Sequence, residues 1–370
     1  MLEKEKIKIL HVLYSGLGGH GNVFFSMLDA DTKNDFVFEA LFNGVEPVRA
    51  EYIERCAKKN IAWCYVPKKP GLHIGYYFKL YRQIKKSKPQ VIFLHGGAAA
   101  IPARLAKITT GSIKKIIVRE TQANHLKTKI DWVYLATAML MADKLVYLSN
   151  GYKMEVKRKL SFLYSEKRTA VIPNGINLDT FTMMPMHTRQ SPLVLGMQSR
   201  LIAIKDHITL LHAFARLVEK QTGPALQLLI AGDGAYKETL GQLAHTLNIS
   251  DKVVFTGMLE EPELVDFLHK LDIYIHASLG ETMSTAIMQA MACGKPIVAS
   301  DVMGIHNMIE NGVTGILVPV KDAGRMADAI ALLINDSTLS NKLALNAFNF
   351  ATANYSNGKM LENYKMLFTD

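Results

Sequence analysis

The strongest constraint on this chain is an alternation of short β-type runs with helical patterns, played through twice. Ile7–Leu13 reads as a strand, Gly16-Leu17-Gly18-Gly19 breaks it, and Asn22–Leu28 reads as a helix. Further strands are expected at Val37–Phe42, Ala62–Tyr65, Val91–Leu94, Lys115–Val118 and Lys144–Leu148, with helices between. The pattern pauses at Val171-Ile172-Pro173-Asn174-Gly175-Ile176, where Pro and Asn-Gly are turn punctuation. It restarts at Leu193–Met197 and continues through Leu226–Ala231, Val253–Thr256, Ile273–His276, Ile297–Ser300 and Gly315–Val318. Helices are expected at His207–Glu219, Tyr236–Leu247, Pro262–Lys270, Thr285–Ala292 and, last, Gly358–Phe368. Such an order builds βαβ units and a parallel sheet, here two of them. With 370 residues, two α/β domains are expected: 1–185 together with a C-terminal helix at 355–370, and 186–354.

Charge separates the halves. Residues 1–180 hold 29 Lys+Arg against 15 Asp+Glu, a net +14; the remainder holds 14 against 18, a net −4. Basic clusters recur in the first half at Lys85-Lys86-Ser87-Lys88, Lys114-Lys115 and Lys157-Arg158-Lys159. Such clusters are ordinary as solvated helix ends, but together they favour an acidic partner such as anionic lipid. Nucleic acid is not expected, since no aromatic-basic interleaving accompanies the charge. Three cysteines without metal-ligand spacing suit a reducing compartment. The opening Met1-Leu2-Glu3-Lys4-Glu5-Lys6 lacks a signal-peptide apolar core. The longest apolar run, Trp132–Ala142, is short of the ~20 residues that span a bilayer and reads as a buried helix. The expectation is a cytoplasmic protein, peripheral at the inner face of a membrane.

Three segments carry chemistry. The turn Ser15–Gly21 is glycine-rich and opens a helix, so Gly18 and Gly19 could let backbone approach a phosphate. A tight βα connection would need the same glycines. In Ser199–His207, Arg200 and Lys205 sit five residues apart after a strand, where open α/β sheets bind ligands; both suit a diphosphate. The third segment, His276–Pro296, presents one carboxylate, Glu281, before a helix that begins near Ser284 and is stopped by Gly294 and Pro296. The carboxylate could hold a sugar hydroxyl, the helix end a phosphate, and Gln289 a ribose hydroxyl.

With Ala231-Gly232-Asp233-Gly234, Val253-Val254-Phe255-Thr256-Gly257 and Gly312–Pro319 added to these motifs, the chain resembles the retaining glycosyltransferases of family 4 over nearly its whole length. The resemblance implies the GT-B fold: two Rossmann-like parallel-sheet domains facing a cleft, with a last helix crossing back to the first. It implies that Arg200 and Lys205 neutralise the donor diphosphate and that Glu281 holds the donor sugar. The N–H groups beside Met283, at Ser284 and Thr285, would cap the distal phosphate. Gly18 and Gly19 would approach from the first domain, and Gly257 and Met258 would border the base.

Two departures stand out. The family places a second glutamate where this chain has Gln289, so nucleotide binding is expected to be weaker or altered. Many relatives carry a histidine after the fourth or fifth strand of the first domain; here Arg119-Glu120-Thr121-Gln122 stands there, leaving His95, Arg119, Glu120 and His125 as acceptor-side candidates. Asp29-Ala30-Asp31 spells the metal motif of a different glycosyltransferase fold, but falls at the end of a helix. No metal and no cofactor are therefore expected. The expected partners are a UDP- or GDP-sugar donor and a glycan or lipid-linked acceptor of bacterial surface polysaccharide assembly, such as lipopolysaccharide or capsule. The alternatives are a GT-B nucleotide-sugar epimerase and a non-catalytic sugar-nucleotide-binding protein.

Overall fold

Every strand pairing is parallel, so helices must cover both faces of each sheet. A computed structural model describes residues 6–16, 19–69, 71, 73–184, 191–220 and 224–369. The first sheet comprises β1 (Ile7–Tyr14), β2 (Phe36–Gly44), β3 (Ala62–Pro67), β4 (Val91–His95), β5 (Lys115–Arg119), β6 (Lys144–Tyr147) and β7 (Thr169–Val171). Their order is β3-β2-β1-β4-β5-β6-β7. The second sheet comprises β8 (Leu193–Gln198), β9 (Leu226–Ala231), β10 (Val253–Gly257), β11 (Ile273–His276), β12 (Ile297–Ser300) and β13 (Ile316–Val318). Its order is β10-β9-β8-β11-β12-β13. Both are doubly wound α/β sheets.

One unit runs to Gly175 and takes in the final helix, Asn357–Thr369; the other is Ile176–Ser356. The division thus falls at the Pro173-Asn174-Gly175 turn, where Ile176 bridges Ser356. In the first unit, Met360, Leu361, Tyr364 and Phe368 of the final helix join the core on one face of the sheet. Tyr364 meets Phe93 edge-on, with ring centroids 5.1 Å apart, and Phe368 meets Phe36 at 5.4 Å. The opposite face is covered by the helices Ile74–Ser87, Ala100–Thr109 and Lys129–Met141.

The Trp132–Ala142 run is not the buried helix expected from its composition. It belongs to Lys129–Met141, where Leu135, Ala138 and Met139 are buried but Val133 and Leu140 are exposed. The segment is apolar all round, yet only one side of it meets the sheet. Its start is a capping box: Thr128 Oγ1 accepts from Asp131 N, and Asp131 Oδ2 accepts from Thr128 N.

Candidate active site

In the second sheet the chain winds outward from β8 to β10, then returns to lay β11 on the other side of β8. The loops leaving adjacent β8 and β11 therefore lie side by side at the carboxyl edge, at the reversal point where such sheets bind a ligand. Lys205 lies after β8 and Glu281 after β11. Lys205 Nζ donates to Glu281 Oε1, forming an ion pair that is largely buried. Backbone ties hold the two loops together: Leu279 N donates to Ile204 O at 2.8 Å, and Ser278 Oγ donates to the same oxygen at 3.2 Å.

The surrounding glycines are set by close approach. A Cβ on Gly232 would lie 2.0 Å from Ser199 O, and one on Gly234 would lie 2.4 Å from Leu201 O. The Gly232-Asp233-Gly234 loop can thus press against the Arg200 loop, where Asp233 O accepts from Leu201 N at 2.9 Å.

Glu281 has a second partner on the same oxygen, His276 Nε2 at 3.0 Å. Because a carboxylate can only accept, Nε2 carries the proton. His276 Nδ1 then accepts from the Tyr274 hydroxyl at 3.1 Å. Tyr274, His276, Glu281 and Lys205 form one chain of hydrogen bonds. Burial alone would raise the Glu281 pKa, but Lys205 and the His276 bond outweigh it and hold the carboxyl at about 2. Burial pushes the His276 pKa down, against the upward pull of Glu281, so the ring is neutral near pH 7.

Ser284 is the N-cap of the helix Thr285–Ala292; its Oγ accepts from Ile287 N at 3.3 Å. Its own N–H points at Met308 Sδ, 3.3 Å away. Gln289, one helical turn on from Thr285, is half-buried, and its Oε1 accepts from Gln198 Nε2 at 2.5 Å. Gln198 is buried at the end of β8. Met283 is half-buried in the loop before Ser284. Arg200 is exposed and makes no ion pair among the described residues. Gly257, at φ +78°, ends β10 and accepts from Gly232 N at 2.7 Å; Met258 beyond it is exposed. Gly18 lies outside the described residues, while Gly19 is exposed at the start of the helix Gly19–Ala30.

In the first unit the equivalent reversal lies between β1 and β4. His95 ends β4 and is buried; its Nε2 lies 3.1 Å from His11 Nδ1. His20 stacks obliquely on His95, with centroids 5.4 Å apart, and its Nε2 lies 3.1 Å from Thr121 Oγ1. Burial lowers the pKa of His11 to about 3; burial and then Arg119 lower that of His20 to about 4. Burial, with His11, His20 and Arg119 beside it, puts His95 well below the usual range. Arg119 is buried and donates to Asn174 Oδ1. Glu120 pairs with buried Lys127 at 3.3 Å and accepts from Gln122 N at 3.0 Å. His125 is exposed on a 3-10 turn. Of the four acceptor-side candidates, His95, Arg119 and Glu120 are buried around the ends of β4 and β5.

Three residues at the second-unit site escape sequence reasoning. His276 reads only as the last residue of an apolar strand. Gln198 reads as the end of another. Gly304, in the short helix Met303–His306, packs so tightly that a Cβ there would lie 2.1 Å from Glu281 O. The Asp-x-Asp segment is engaged structurally: Asp29 pairs with Lys59 at 2.5 Å, and Asp31 accepts from Asp35 N and Phe36 N.

Two doubly wound parallel sheets, the second with an ion pair at its reversal point, define a two-domain α/β protein. The family model described as Glycosyltransferase Family 4 matches residues 17–180, and that described as Glycosyl transferases group 1 matches residues 185–350. The chain belongs to the family 4 glycosyltransferases, with the GT-B fold. Alpha-monoglucosyldiacylglycerol synthase of Streptococcus pneumoniae is 30% identical over 245 residues, covering 59% of this chain and 55% of that one. UDP-Gal:alpha-D-GlcNAc-diphosphoundecaprenol alpha-1,3-galactosyltransferase of Escherichia coli is 22% identical over 307 residues, covering 79% and 78%. The solved structure of HepE from Anabaena, in complex with UDP and glucose, matches with a TM-score of 0.79 at 18% identity over 98% of this chain and 100% of that one. The chain spans about half the length of the first curated relatives it matches: 42%, 55% and 47%.

Proposed function

We propose that this protein transfers a sugar, with retention at the anomeric carbon and without a metal, from a UDP- or GDP-sugar to a glycan or lipid-linked acceptor at an anionic membrane surface. The observation that carries the reading is the Lys205–Glu281 pair at the reversal point of the second sheet, beside the N-terminus of the helix Thr285–Ala292. As the glycosidic bond breaks, negative charge grows on the departing diphosphate. Lys205, exposed Arg200 and the helix end would stabilise that charge, as a preorganised cationic site does. Glu281, already ionised, would accept a hydrogen bond from a donor-sugar hydroxyl while His276 holds its other contacts in place. The UDP and UDP-glucose named with the Anabaena structure support a uridine donor. The lipid-borne products and acceptors named for the Streptococcus and Escherichia relatives support a lipid-linked acceptor. A polysaccharide setting is supported by the lipopolysaccharide core glycosyltransferase of Rhizobium meliloti, 27% identical over 217 residues.

The test is incubation with a panel of UDP- and GDP-sugars and lipid-linked acceptors, with NMR assignment of the new linkage. One donor should give an acceptor-dependent product of unchanged anomeric configuration in the presence of a chelator. Arg200→Ala should lower kcat by about tenfold to a hundredfold. Inversion, or loss of activity on chelation, sinks the corresponding part of the reading. An epimerase would instead interconvert the nucleotide sugar with no acceptor present.

A further inference from the structure

We infer that the outward ridge of three neighbouring helices in the first unit, Ile74–Ser87, Ala100–Thr109 and Lys129–Met141, is a docking face for the headgroup region of an anionic phospholipid bilayer. The three helices link β3 to β4, β4 to β5 and β5 to β6, so they run side by side on one face of a parallel sheet. Their inward residues share one core, including Leu80, Ala103 and Leu135. Their outward residues should then be polar throughout. Many are apolar instead. Ile74 and Phe78 on the first helix are 83% and 58% exposed. Ile101, Leu105 and Ile108 on the second are 50–69% exposed, and Ile130, Val133 and Leu140 on the third 58–63%. Phe162, on a 3-10 turn packed against the third helix, is 81% exposed. This many exposed apolar side chains on neighbouring helices point to an interaction site.

Charge selects the occupant. The same three helices carry seven cations, Lys79, Arg82, Lys85, Lys86, Arg104, Lys107 and Lys129, of which Lys107 is paired with Asp143 at 2.6 Å, against one carboxylate within the helices, Asp131. Asp131 is committed to its capping box. A protein interface of this apolarity is depleted in lysine at its core. An interfacial membrane face combines apolar tips, which enter the headgroup boundary, with long basic side chains that reach lipid phosphates. Neither signal anchors stably alone, and here both lie on one surface.

The inference deepens the reading of a lipid-linked acceptor, and its test uses vesicles that contain no acceptor or donor. In flotation assays the full-length protein should rise with vesicles of phosphatidylcholine and phosphatidylglycerol. It should bind far less to phosphatidylcholine alone, and added salt should weaken the binding. R82Q/K86Q should lower the partition coefficient by about tenfold or more. F78S/I130S should do the same while leaving the thermal midpoint unchanged, because both side chains are already exposed. Binding by both variants equal to wild type overturns the inference, as does equal binding to neutral and anionic vesicles. A dimer in solution that F78S/I130S converts to monomer, without vesicle binding by wild type, would assign the face to a second copy and overturn it too. Failure to bind vesicles with sugar transfer intact sinks the docking face alone; binding without transfer sinks the enzymatic reading alone.

Discussion

The two sheets meet the same topological problem at their reversal points and fill the space differently. Between β1 and β4 stand neutral, buried imidazoles: His11 at 3.1 Å from His95, with His20 beside them and Arg119 near. Between β8 and β11 stands a compensated charge, Glu281 bonded by both Lys205 and His276. The difference lies in whether a cation and an anion meet. In the first unit no carboxylate touches the histidines among the described residues, so desolvation empties them of charge. In the second, Lys205 makes ionisation of a buried carboxylate favourable. Only the second arrangement sets a cation against an anion at its reversal point, where a leaving diphosphate and a sugar hydroxyl could use them.

Lys205→Ala breaks this contrast most strongly. It leaves Glu281 buried without its cation, which should cost about 3–5 kcal/mol in stability, read from chemical denaturation. Transfer should fall about 10²–10³-fold, and a loss under tenfold would detach Lys205 from the reaction. Next comes Gly304→Ala. Its Cβ must displace the Glu281 backbone, so it should cost about 1–3 kcal/mol and lower kcat without removing any charged group. An unchanged kcat would show that the loop tolerates the shift.

Acid sharpens the comparison further. His11 and His20 are held below their unfolded value of about 6.5, so the folded form loses stability as pH falls through 6.5 toward 3–4. Glu281, held at about 2, contributes stability that is complete above about pH 4.3 and is lost only as pH falls toward 2. Melting curves should therefore decline from about pH 6.5, and His11→Phe should flatten the decline between pH 6.5 and 4.5. An identical slope in the variant would remove His11 from the account. His207, also held at about 4 by burial, His276 and Lys205, adds the same slope from the second unit and leaves it in the variant.

The smallest expected effect is Gln289→Glu. Gln198 Nε2 already donates toward this position, so a carboxylate would receive a charge-assisted bond. Donor KM should fall about fivefold. A rise in KM would mean that the amide is itself the better partner for this donor.

Much of this is legible in sequence. Leu226–Ala231, Ile273–His276 and Ile297–Ser300 are strands where β-type runs predict them, and His207–Glu219 and Thr285–Ala292 are helices with those bounds. β7 is not predicted, because three half-buried residues at a sheet edge carry no periodicity. The helix Ser337–Asn354 is also unannounced. Its buried stripe includes Ser340, Ala344, Ala347 and Ala351, residues too small to stand out as a hydrophobic face. Gln289 is visible as a departure, but its partner Gln198 is not. The exposed half of Lys129–Met141 is invisible in a segment that is apolar on every side.

The sequence by itself determined two α/β domains built of βαβ units and put Lys205 and Glu281 after strands, because strand, helix and turn are written in local periodicity and in glycine and proline. Only the tertiary structure decided that these two residues, 76 positions apart, share one hydrogen bond, and that Gln198 and Gln289, 91 apart, share another. The physical reason is strand order. The return of the chain past β8 to lay down β11 brings distant loops to one edge, and nothing local in either loop records which neighbour it will have.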